Sequence, residues 1–387
     1  MKLPSLALIG ALVLTRVAAP AGDDGQATFT AHTIATELRG GYQTLVVDLN
    51  KDGKPDIIAL ASNLPDLVWF ENPGWQRHVL AGGFTGLINV AAFDVDKDGV
   101  PELAVASGFT MSPKTSTGIV SILTHGADLT APWTVKEIDR VPTAHRLRWI
   151  DPDGSGNKVL VNAPLVGPDA EAPDYKSPVA LYLYRPPDYK RQTLDDRFTG
   201  LFHGIEPVTW EGVGGQALLS AGFMGVQLHR FAEGKWTTTE LLKGDPSAWP
   251  KSGSSDIAVG HLGPEKFLAT IEPWHGNQVV VYRQDKDAWR RQVLDATLAN
   301  AHTLVVLDAD GDGRDEIVAG QRGGARSLIM YSASKDGATW TRHVLDEGGM
   351  AGAGCAAADL NADRRPDIVC IGTATANLKW YENMGRK

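Results

Sequence analysis

The sequence predicts an all-β fold, a seven-bladed β-propeller, from three periodic features of its 387 residues. An acidic loop pattern recurs between apolar runs that are typical of strands. An aromatic residue followed five positions later by Leu or Ile recurs about once every 50 residues, the spacing of a repeat architecture. The last repeat lacks this aromatic mark, and a matching pair stands near the N-terminus instead. Together these features predict a closed ring of similar units.

The acidic loops place oxygen-bearing side chains at alternate positions and close with a carboxylate at position nine. Such a ligand set suits Ca²⁺, and the early closing acid between strand-like runs predicts a calcium hairpin rather than a helix–loop–helix site. A weakened copy begins at Asp151 and has Val159 in place of the closing acid. The predicted ligands are Asp48, Asn50, Asp52 and Asp56; Asp94, Asp96, Asp98 and Glu102; Asp308, Asp310, Asp312 and Glu316; and Asp359, Asn361, Asp363 and Asp367.

The aromatic marks give the number of blades. They are Trp75/Leu80, Trp133/Ile138, Tyr189/Leu194, Trp236/Leu241, Trp289/Leu294 and Trp340/Leu345. The last run, 378–381, has no mark after it, and Phe29 and Ile34 supply the missing copy. A last blade completed by an N-terminal strand closes the ring without an exposed edge. Two blades without the acidic loop fall at 208–220 and 257–270, which brings the predicted count to seven.

The first residues have the features of a targeting segment. Lys2 gives a basic start, 6–14 are apolar, and Ala19-Pro20-Ala21 is a small-residue cleavage site. We therefore predict a signal peptide at 1–21, a single propeller at 22–387, and a secreted or periplasmic protein. The apolar stretch is too short to span a bilayer, so no membrane contact is expected after cleavage. An uncleaved anchor is the alternative.

The formal charge of −9 argues against a nucleic-acid partner, because phosphate binding needs a basic face. Nothing in the sequence indicates an oligomeric state. Cys355 and Cys370 flank the last acidic loop on consecutive predicted strands. They either form a disulfide in an oxidising compartment or remain two buried thiols. Both interpretations stay open at this point.

Three histidines share one position of the repeat. The innermost strand of each blade ends in the acidic loop, so its start lies at the opposite mouth of the channel, here called the top. Six residues before the first loop acid stand His145 and His302, and His203 holds the equivalent place in a blade without the loop. The other copies carry Tyr42, Ile88 and Ala353. One such histidine is more often structural, but three in register favour function.

Further polar residues are expected at the same mouth. The loops between second and third strands contribute Glu272, His275 and Arg322, and Arg146 follows His145. The long loop 164–178 is a predicted lid. The predicted catalytic set is His145, His203, His302, His275, Arg146, Arg322 and Glu272, a polar mouth that suits a small sugar or a glycan.

The acidic loops resemble the FG-GAP/VCBS-type repeats of integrin-α-like propellers and many secreted bacterial proteins, which implies a fold but no function. A narrower resemblance lies in WFENPGW at 69–75, PTAHR at 142–146, EPWHGN at 272–277 and KWYEN at 379–383. These runs are similar to the propeller part of the aldos-2-ulose dehydratases, lyases that remove water from 2-keto sugars such as 1,5-anhydrofructose. The fungal enzyme carries further domains, including a cupin associated with a later isomerisation. The resemblance of one propeller therefore implies only the dehydration.

Elimination of water β to a ketone needs a base, a positive charge for the enolate and an acid for the leaving hydroxyl. A neutral histidine can be base or acid, and Arg146 or Arg322 can hold the enolate oxygen. Alternatively, His145, His203 and His302 are ligands of a divalent metal that polarises the carbonyl. Two other functions stay open: a non-catalytic propeller that binds a glycan or a protein, and a polysaccharide lyase that acts on uronates.

Overall fold

Seven four-stranded antiparallel sheets form the structure, a computed structural model that describes residues 25–286 and 288–386. The predicted signal peptide at 1–21 lies outside the described residues. In each of the first six blades the strands pair in chain order, with the first strand innermost. The prediction of an all-β, seven-bladed propeller is confirmed.

The strands are as follows. Blade one has β2 (Gly41–Val47), β3 (Asp56–Ala61), β4 (Leu67–Glu71) and β5 (Gln76–Ala81); blade two has β6 (Asn89–Phe93), β7 (Glu102–Ser107), β8 (Ile119–Thr124) and β9 (Thr134–Arg140). Blade three has β10 (Ala144–Ile150), β11 (Val159–Pro164), β12 (Pro178–Tyr184) and β13 (Arg191–Thr199); blade four has β14 (Phe202–Thr209), β15 (Gln216–Gly222), β16 (Gly225–Ala232) and β17 (Lys235–Leu242). Blade five has β18 (Asp256–Leu262), β19 (Glu265–Glu272), β20 (Gln278–Asp285) and β21 (Ala288–Asp295); blade six has β22 (Ala301–Leu307), β23 (Glu316–Gln321), β24 (Leu328–Ala333) and β25 (Trp340–Asp346). Blade seven has β26 (Gly352–Ala358), β27 (Asp367–Gly372), β28 (Leu378–Arg386) and, as its outermost strand, β1 (Ala27–Ala35).

The ring is closed by the N-terminal strand. β1 pairs antiparallel with β28, and Ala31 stands opposite Tyr381. This is the closure that the missing C-terminal mark predicted. The innermost strand of every blade also packs beside the innermost strands of both neighbours. β2 and β26 lie side by side, so the first and last blades meet and the ring is continuous.

Burial follows the order of the strands in a blade. Two of the second strands, β3 and β23, are buried along their whole length, since both faces meet a neighbouring blade. The outermost strand β9 is exposed at most positions. The core therefore lies between blades: Trp69 of blade one, which is 1% exposed, packs with Leu103 and Val105 of blade two. Replacing such a buried tryptophan by Ala costs about 3–5 kcal/mol of stability.

A repeated polar contact ties neighbouring blades together. Asp295, at the end of blade five, accepts a hydrogen bond of 2.8 Å from the Tyr331 hydroxyl and one of 3.0 Å from Arg342, both in blade six. Asp139 with Tyr184 and Asp346 with Tyr381 repeat this arrangement at two other blade junctions. Each buried tyrosine hydroxyl thereby finds an acceptor across a junction between blades.

The two cysteines form a disulfide. Cys355 on β26 stands directly opposite Cys370 on β27, and their Cα atoms are 4.1 Å apart. The structure thus selects the disulfide from the two interpretations that the sequence left open.

Candidate functional site

Four imidazoles meet on the axis of the ring. The ring centroids of His145 and His203 are 5.1 Å apart, and those of His203 and His302 are 4.9 Å apart. His275, from the loop after β19, lies 4.8 Å from His203 and 5.0 Å from His302. The structure therefore brings together the three histidines of one repeat position and adds the fourth that was expected beside them. We refer to these four residues as the axial histidines.

A β-bulge turns these side chains towards the axis. The pairing register of the innermost strand shifts between Ala144 and Arg146, between Phe202 and Gly204, and between Ala301 and Thr303. Each of the three histidines is thus the extra residue of its strand, left out of the regular pairing, and a bulge re-aims the side chain that it carries. Blade one has the same shift around Tyr42.

Tyr42 is the site residue that sequence reasoning missed. Its hydroxyl lies 2.8 Å from Nε2 of His145, and Arg146 Nη1 donates to the same hydroxyl across 3.3 Å. Its ring centroid is 5.0 Å from that of His302. The signal was present in the sequence, since Tyr42 holds the repeat position of the three histidines.

The backbone fixes the proton positions on two of the imidazoles. His203 Nδ1 donates to the carbonyl oxygen of Ser255 across 3.0 Å, and His302 Nδ1 donates to that of Ala353 across 2.5 Å. A carbonyl can only accept, so Nε2 of each ring carries the lone pair. His203 Nε2 lies 3.1 Å from His275 Nε2, and His302 Nε2 is buried without a partner among the described residues.

Burial keeps the axial histidines neutral. Desolvation lowers the pKa of all four well below 6.5. The Arg146 guanidinium adds to this effect most strongly at His145 and His203, and the Arg322 guanidinium does so at His275 and His302. A positive neighbour and a low dielectric both disfavour imidazolium. At neutral pH these rings therefore offer lone pairs rather than charge.

Three of the four rings form a possible metal site. Among the described residues, His203, His275 and His302 each offer a nitrogen, and these atoms lie within 4.8 Å of one another. His145, which belongs to the metal set predicted from the sequence, faces Tyr42 instead. The backbone carbonyls that hold the Nδ1 protons are the outer partners typical of metal-binding histidines. Together with the unpaired Nε2 of His302, this donor set fits a divalent metal with an open position.

Glu272 lies elsewhere, and its placement at the mouth was wrong. Its carboxylate is fully buried and accepts from Thr270, Tyr282 and Arg291, with the Tyr282 hydroxyl at 2.7 Å. Side chains alternate along a strand, so Glu272 shares the face of Thr270 inside the blade. Arg322 lies beside the axial histidines, with Nη2 at 3.2 Å from His275 Nδ1.

An aromatic cover closes the top of the site. The predicted lid runs as loop 165–177 between β11 and β12, and its Tyr175 packs edge-on to Trp274. Trp249 donates from Nε1 to the carbonyl of Asp174 in the lid across 2.8 Å. Phe109 from blade two lies 5.3 Å from His145. Beneath this cover His145, His203 and His302 are only 1–2% exposed.

The free space beside the axial histidines is in the channel instead. A cavity of about 360 Å³ is lined by the innermost strands of all seven blades and reaches Tyr42, Arg146 and His302. Arg148, Glu206 and Asp256 line it further along the channel. Burial raises the pKa of Glu206 to about 7 and also raises the pKa of Asp256. A polar chamber thus adjoins the histidines on the side away from the lid.

The acidic loops are folded alike. The first acid of each accepts a backbone N–H five residues on, as Asp48 does from Gly53 and Asp94 from Gly99, both across 2.9 Å. The closing acid accepts the backbone N–H of the residue after the first acid, as Asp56 does from Leu49 and Glu102 from Val95. In two loops three carboxylates each offer an oxygen within 4.8 Å of the others: Asp94, Asp96 and Glu102, and Asp308, Asp310 and Glu316.

The loops differ in the oxygens they leave available. Oδ1 is buried and has no partner among the described residues in Asp48, in Asp94 and in Asp151 of the weakened copy, which fits a cation at these loops. In the later loops arginines compete: Arg386 binds Asp310 at 2.7 Å, and Arg365 pairs with Asp363. Arg364 also takes the turn position of the glycines with a φ of 69°.

The chain is similar to known propellers over most of this architecture. Residues 117–285 match the family model of the aldos-2-ulose dehydratase β-propeller domain, and residues 48–105 and 308–370 match the FG-GAP-like repeat. The resemblance found in the sequence is confirmed. Aldos-2-ulose dehydratase from Phanerodontia chrysosporium is 25% identical over 236 residues, which are 53% of this chain and 26% of that protein. The chain thus covers well under two thirds of this relative.

These matches coincide with the two kinds of site. The dehydratase match contains His145, His203 and His275, and the FG-GAP-like segments contain all four predicted calcium loops. A chain from a structure described as "Crystal Structure of Mitotic Checkpoint Complex" matches with a TM-score of 0.59 at 15% identity, over 98% of this chain and 99% of that one. This likeness concerns the fold alone. Among the described residues, no helix is long and apolar enough to cross a membrane.

Proposed function

We propose that this propeller is a carbon–oxygen lyase that eliminates water from a keto-sugar of the aldos-2-ulose or 1,5-anhydrofructose type. The observation that carries the proposal is the contact of 2.8 Å between the Tyr42 hydroxyl and Nε2 of His145, beside two guanidiniums and three further neutral imidazoles. Similarity to the propeller of aldos-2-ulose dehydratase supports the choice of reaction.

Tyr42 and His145 can act together as one proton relay. Tyr42 lines the channel cavity, so its oxygen can take the proton beside the substrate carbonyl while its own proton passes to His145 Nε2. As the β carbon–oxygen bond breaks, the leaving hydroxyl takes a proton back from Tyr42, and His145 returns its proton to the phenol. The substrate loses one proton and one hydroxide, and the relay ends as it began.

The positive charge for the enolate comes from Arg146. Its Nη1 already donates to the Tyr42 hydroxyl, and its Nε donates to the carbonyl of His203 across 2.9 Å, so the guanidinium is held at the reacting position. A fixed, buried donor stabilises developing charge more than a mobile one does. Arg322 is held on His275 and adds positive charge at the same end of the channel.

His203, His275 and His302 would hold a divalent metal. When bound, such a metal polarises a substrate carbonyl and so acidifies the neighbouring C–H. The assignment differs from the sequence prediction by one residue, since His275 replaces His145 and leaves His145 to the relay.

The proposal includes structural Ca²⁺ and export. The unpaired carboxylate oxygens of Asp48 and Asp94 support calcium in the first two loops, and three carboxylates within 4.8 Å support it at Asp308. The Cys355–Cys370 disulfide suits the oxidising environment of a secreted or periplasmic protein.

One assay separates the candidate functions. The protein is incubated with 1,5-anhydrofructose and, separately, with uronate polymers, and the ultraviolet absorbance of an enone or an unsaturated uronate is followed. We expect product from the keto-sugar only. Product from the polymers would identify a polysaccharide lyase. Binding of a glycan without product from either substrate would identify a non-catalytic binding propeller.

A further inference from the structure

The cavity in the channel has an unusual wall. Every blade contributes to it through its innermost strand, from Tyr42 in blade one to Ala353 in blade seven, and the lid and the loop 273–277 do not line it. Its volume of about 360 Å³ lies in the range of small-molecule sites. A molecule that touches Tyr42 and His302 from the free side therefore occupies the channel.

Three charged residues from consecutive blades face one another in this cavity. Arg148 comes from blade three, Glu206 from blade four and Asp256 from blade five. The guanidinium of Arg148 donates to Asn89 Oδ1 and to the carbonyl of Leu147, and among the described residues it forms no ion pair within 4.0 Å. It is therefore not neutralised by either carboxylate at contact distance.

The two carboxylates have spare hydrogen-bonding capacity. Asp256 Oδ1 accepts one backbone N–H, that of Ile257, across 3.1 Å. In the described part of the chain, no hydrogen bond to the Glu206 side chain is found. A carboxylate has about four acceptor sites, so the wall of the cavity offers several acceptors with no protein donor. Both side chains are only partly buried and line the cavity, so a ligand with hydroxyl groups can donate to these free acceptors.

The backbone makes room for one of these carboxylates. Gly204 follows His203, and a Cβ atom built on it would lie 2.8 Å from Asp256 Oδ1 and 3.0 Å from Asp256 Cα. A larger residue at this position would therefore require Asp256 to shift. The strand that carries His203 thus also leaves space for the Asp256 side chain at the cavity wall.

The balance of charge selects the class of ligand. Two guanidiniums, Arg146 and Arg148, and two carboxylates, Glu206 and Asp256, line the same cavity. A hydroxyl can donate to a carboxylate and accept from a guanidinium, so this wall suits an uncharged molecule with several hydroxyls. These four charges balance, so the carboxylate of a uronate would add a negative charge near Glu206 and Asp256 that has no counter-charge in the cavity.

We propose that the channel cavity is a binding site for the hydroxyls of an uncharged sugar, with Glu206 and Asp256 as acceptors and Arg148 as donor. The inference deepens the proposed function and rests on it only for the reaction at Tyr42. It places the sugar in the channel, beneath the axial histidines, and it makes the two carboxylates the residues that exclude acidic sugars.

Calorimetric titration with 1,5-anhydroglucitol and with glucuronate tests this. The former is an uncharged sugar without a carbonyl, so it reports binding without turnover. We expect the wild type to bind it more tightly than glucuronate. Glu206→Gln and Asp256→Asn, which keep the shape of each side chain, should each weaken binding by about tenfold, the effect of losing a charged hydrogen bond. Glu265→Gln is the matched control, because Glu265 forms an exposed ion pair with Arg283 outside the cavity. This variant should bind as the wild type does.

The outcomes separate this site from the proposed reaction. Unchanged affinity in both variants, stronger binding of glucuronate by the wild type, or no binding of the hexitol would overturn the site. If the variants keep their affinity for the sugar and dehydrate 1,5-anhydrofructose with unchanged KM, the proposed reaction is supported and the proposed binding site is wrong. If the wild type dehydrates no keto-sugar while the variants still lose binding of 1,5-anhydroglucitol, the binding site is supported and the proposed reaction is wrong. Equal melting temperatures show that the variants are folded.

Discussion

The hydroxyl of Tyr42 in blade one lies 2.8 Å from Nε2 of His145 in blade three. The two residues hold the same position in their repeats, and blade two passes between them in the ring. Arg146 Nη1 donates to the same hydroxyl. The contact joins the ends of two innermost strands at the axis, where a phenol and a neutral imidazole can exchange a proton.

Replacing Tyr42 by Phe should lower kcat for the keto-sugar by about 10²-fold or more, because the relay loses its oxygen. The substrate KM and the melting temperature should change little, since the ring and its contact with His302 remain. Steady-state kinetics with 1,5-anhydrofructose measure the effect. Tyr189→Phe, outside the channel on the turn before β13, is the control and should leave kcat unchanged. Wild-type turnover by Tyr42→Phe would contradict the proposed proton relay between Tyr42 and His145.

Replacing His203 or His302 by Ala should remove a tightly bound divalent metal, because each supplies one of three ligands. His145→Ala should retain the metal and still lose turnover, since its Nε2 faces Tyr42. Elemental analysis of the dialysed proteins, compared with the wild type, measures metal content independently of activity. Metal retained in His275→Ala and lost in His145→Ala would restore the ligand set predicted from the sequence.

Removing Ca²⁺ should lower the melting temperature, because an ion that binds only the folded ring stabilises it by about 2.7 kcal/mol at a concentration of 100 Kd. Asp48→Asn and Asp94→Asn should weaken this calcium response more than Asp359→Asn. In the last loop Arg365 already pairs with Asp363, and Arg364 holds a left-handed turn with a φ of 69°. Thermal unfolding with and without chelator gives the comparison. An unchanged melting temperature in chelator would show that the loops do not need the ion.

His229 should make the ring sensitive to acid. Burial lowers its pKa to about 4, and its ring nitrogens contact Ser220 and Thr238 at 2.8 Å and 2.9 Å. The folded state thus favours the neutral ring, so its contribution is complete above about pH 6.5 and is lost as the pH falls towards 4. The loss is on the order of 3 kcal/mol.

Melting temperatures between pH 7.5 and pH 4 test this assignment. His229→Gln should be less stable at neutral pH and should lose less stability on acidification than the wild type. The exposed His261→Gln is the matched control and should follow the wild-type curve. If the melting temperatures of His229→Gln and the wild type fall in parallel with pH, a group other than His229 causes the loss of stability in acid.

The sequence by itself determined the repeating blades of this protein. The alternation of apolar residues, the acidic loops and the aromatic marks are local features, so they predicted seven blades, the closure by β1 and the positions of the loops. They also assigned His145, His203 and His302 to one repeat position. Because a ring superposes equivalent positions around an axis, a shared position in the sequence became a shared place in space.

Tertiary structure alone decided which side chains meet. The bulges around Tyr42 and the three histidines set the direction of each side chain, and no local pattern marks them. Glu272 was misplaced because its partner Tyr282 comes from the neighbouring strand and its partner Arg291 from the strand after that. The cavity wall of Arg148, Glu206 and Asp256 is assembled from three blades. Its charges lie far apart in the chain, and only the angle between blades brings them to one chamber.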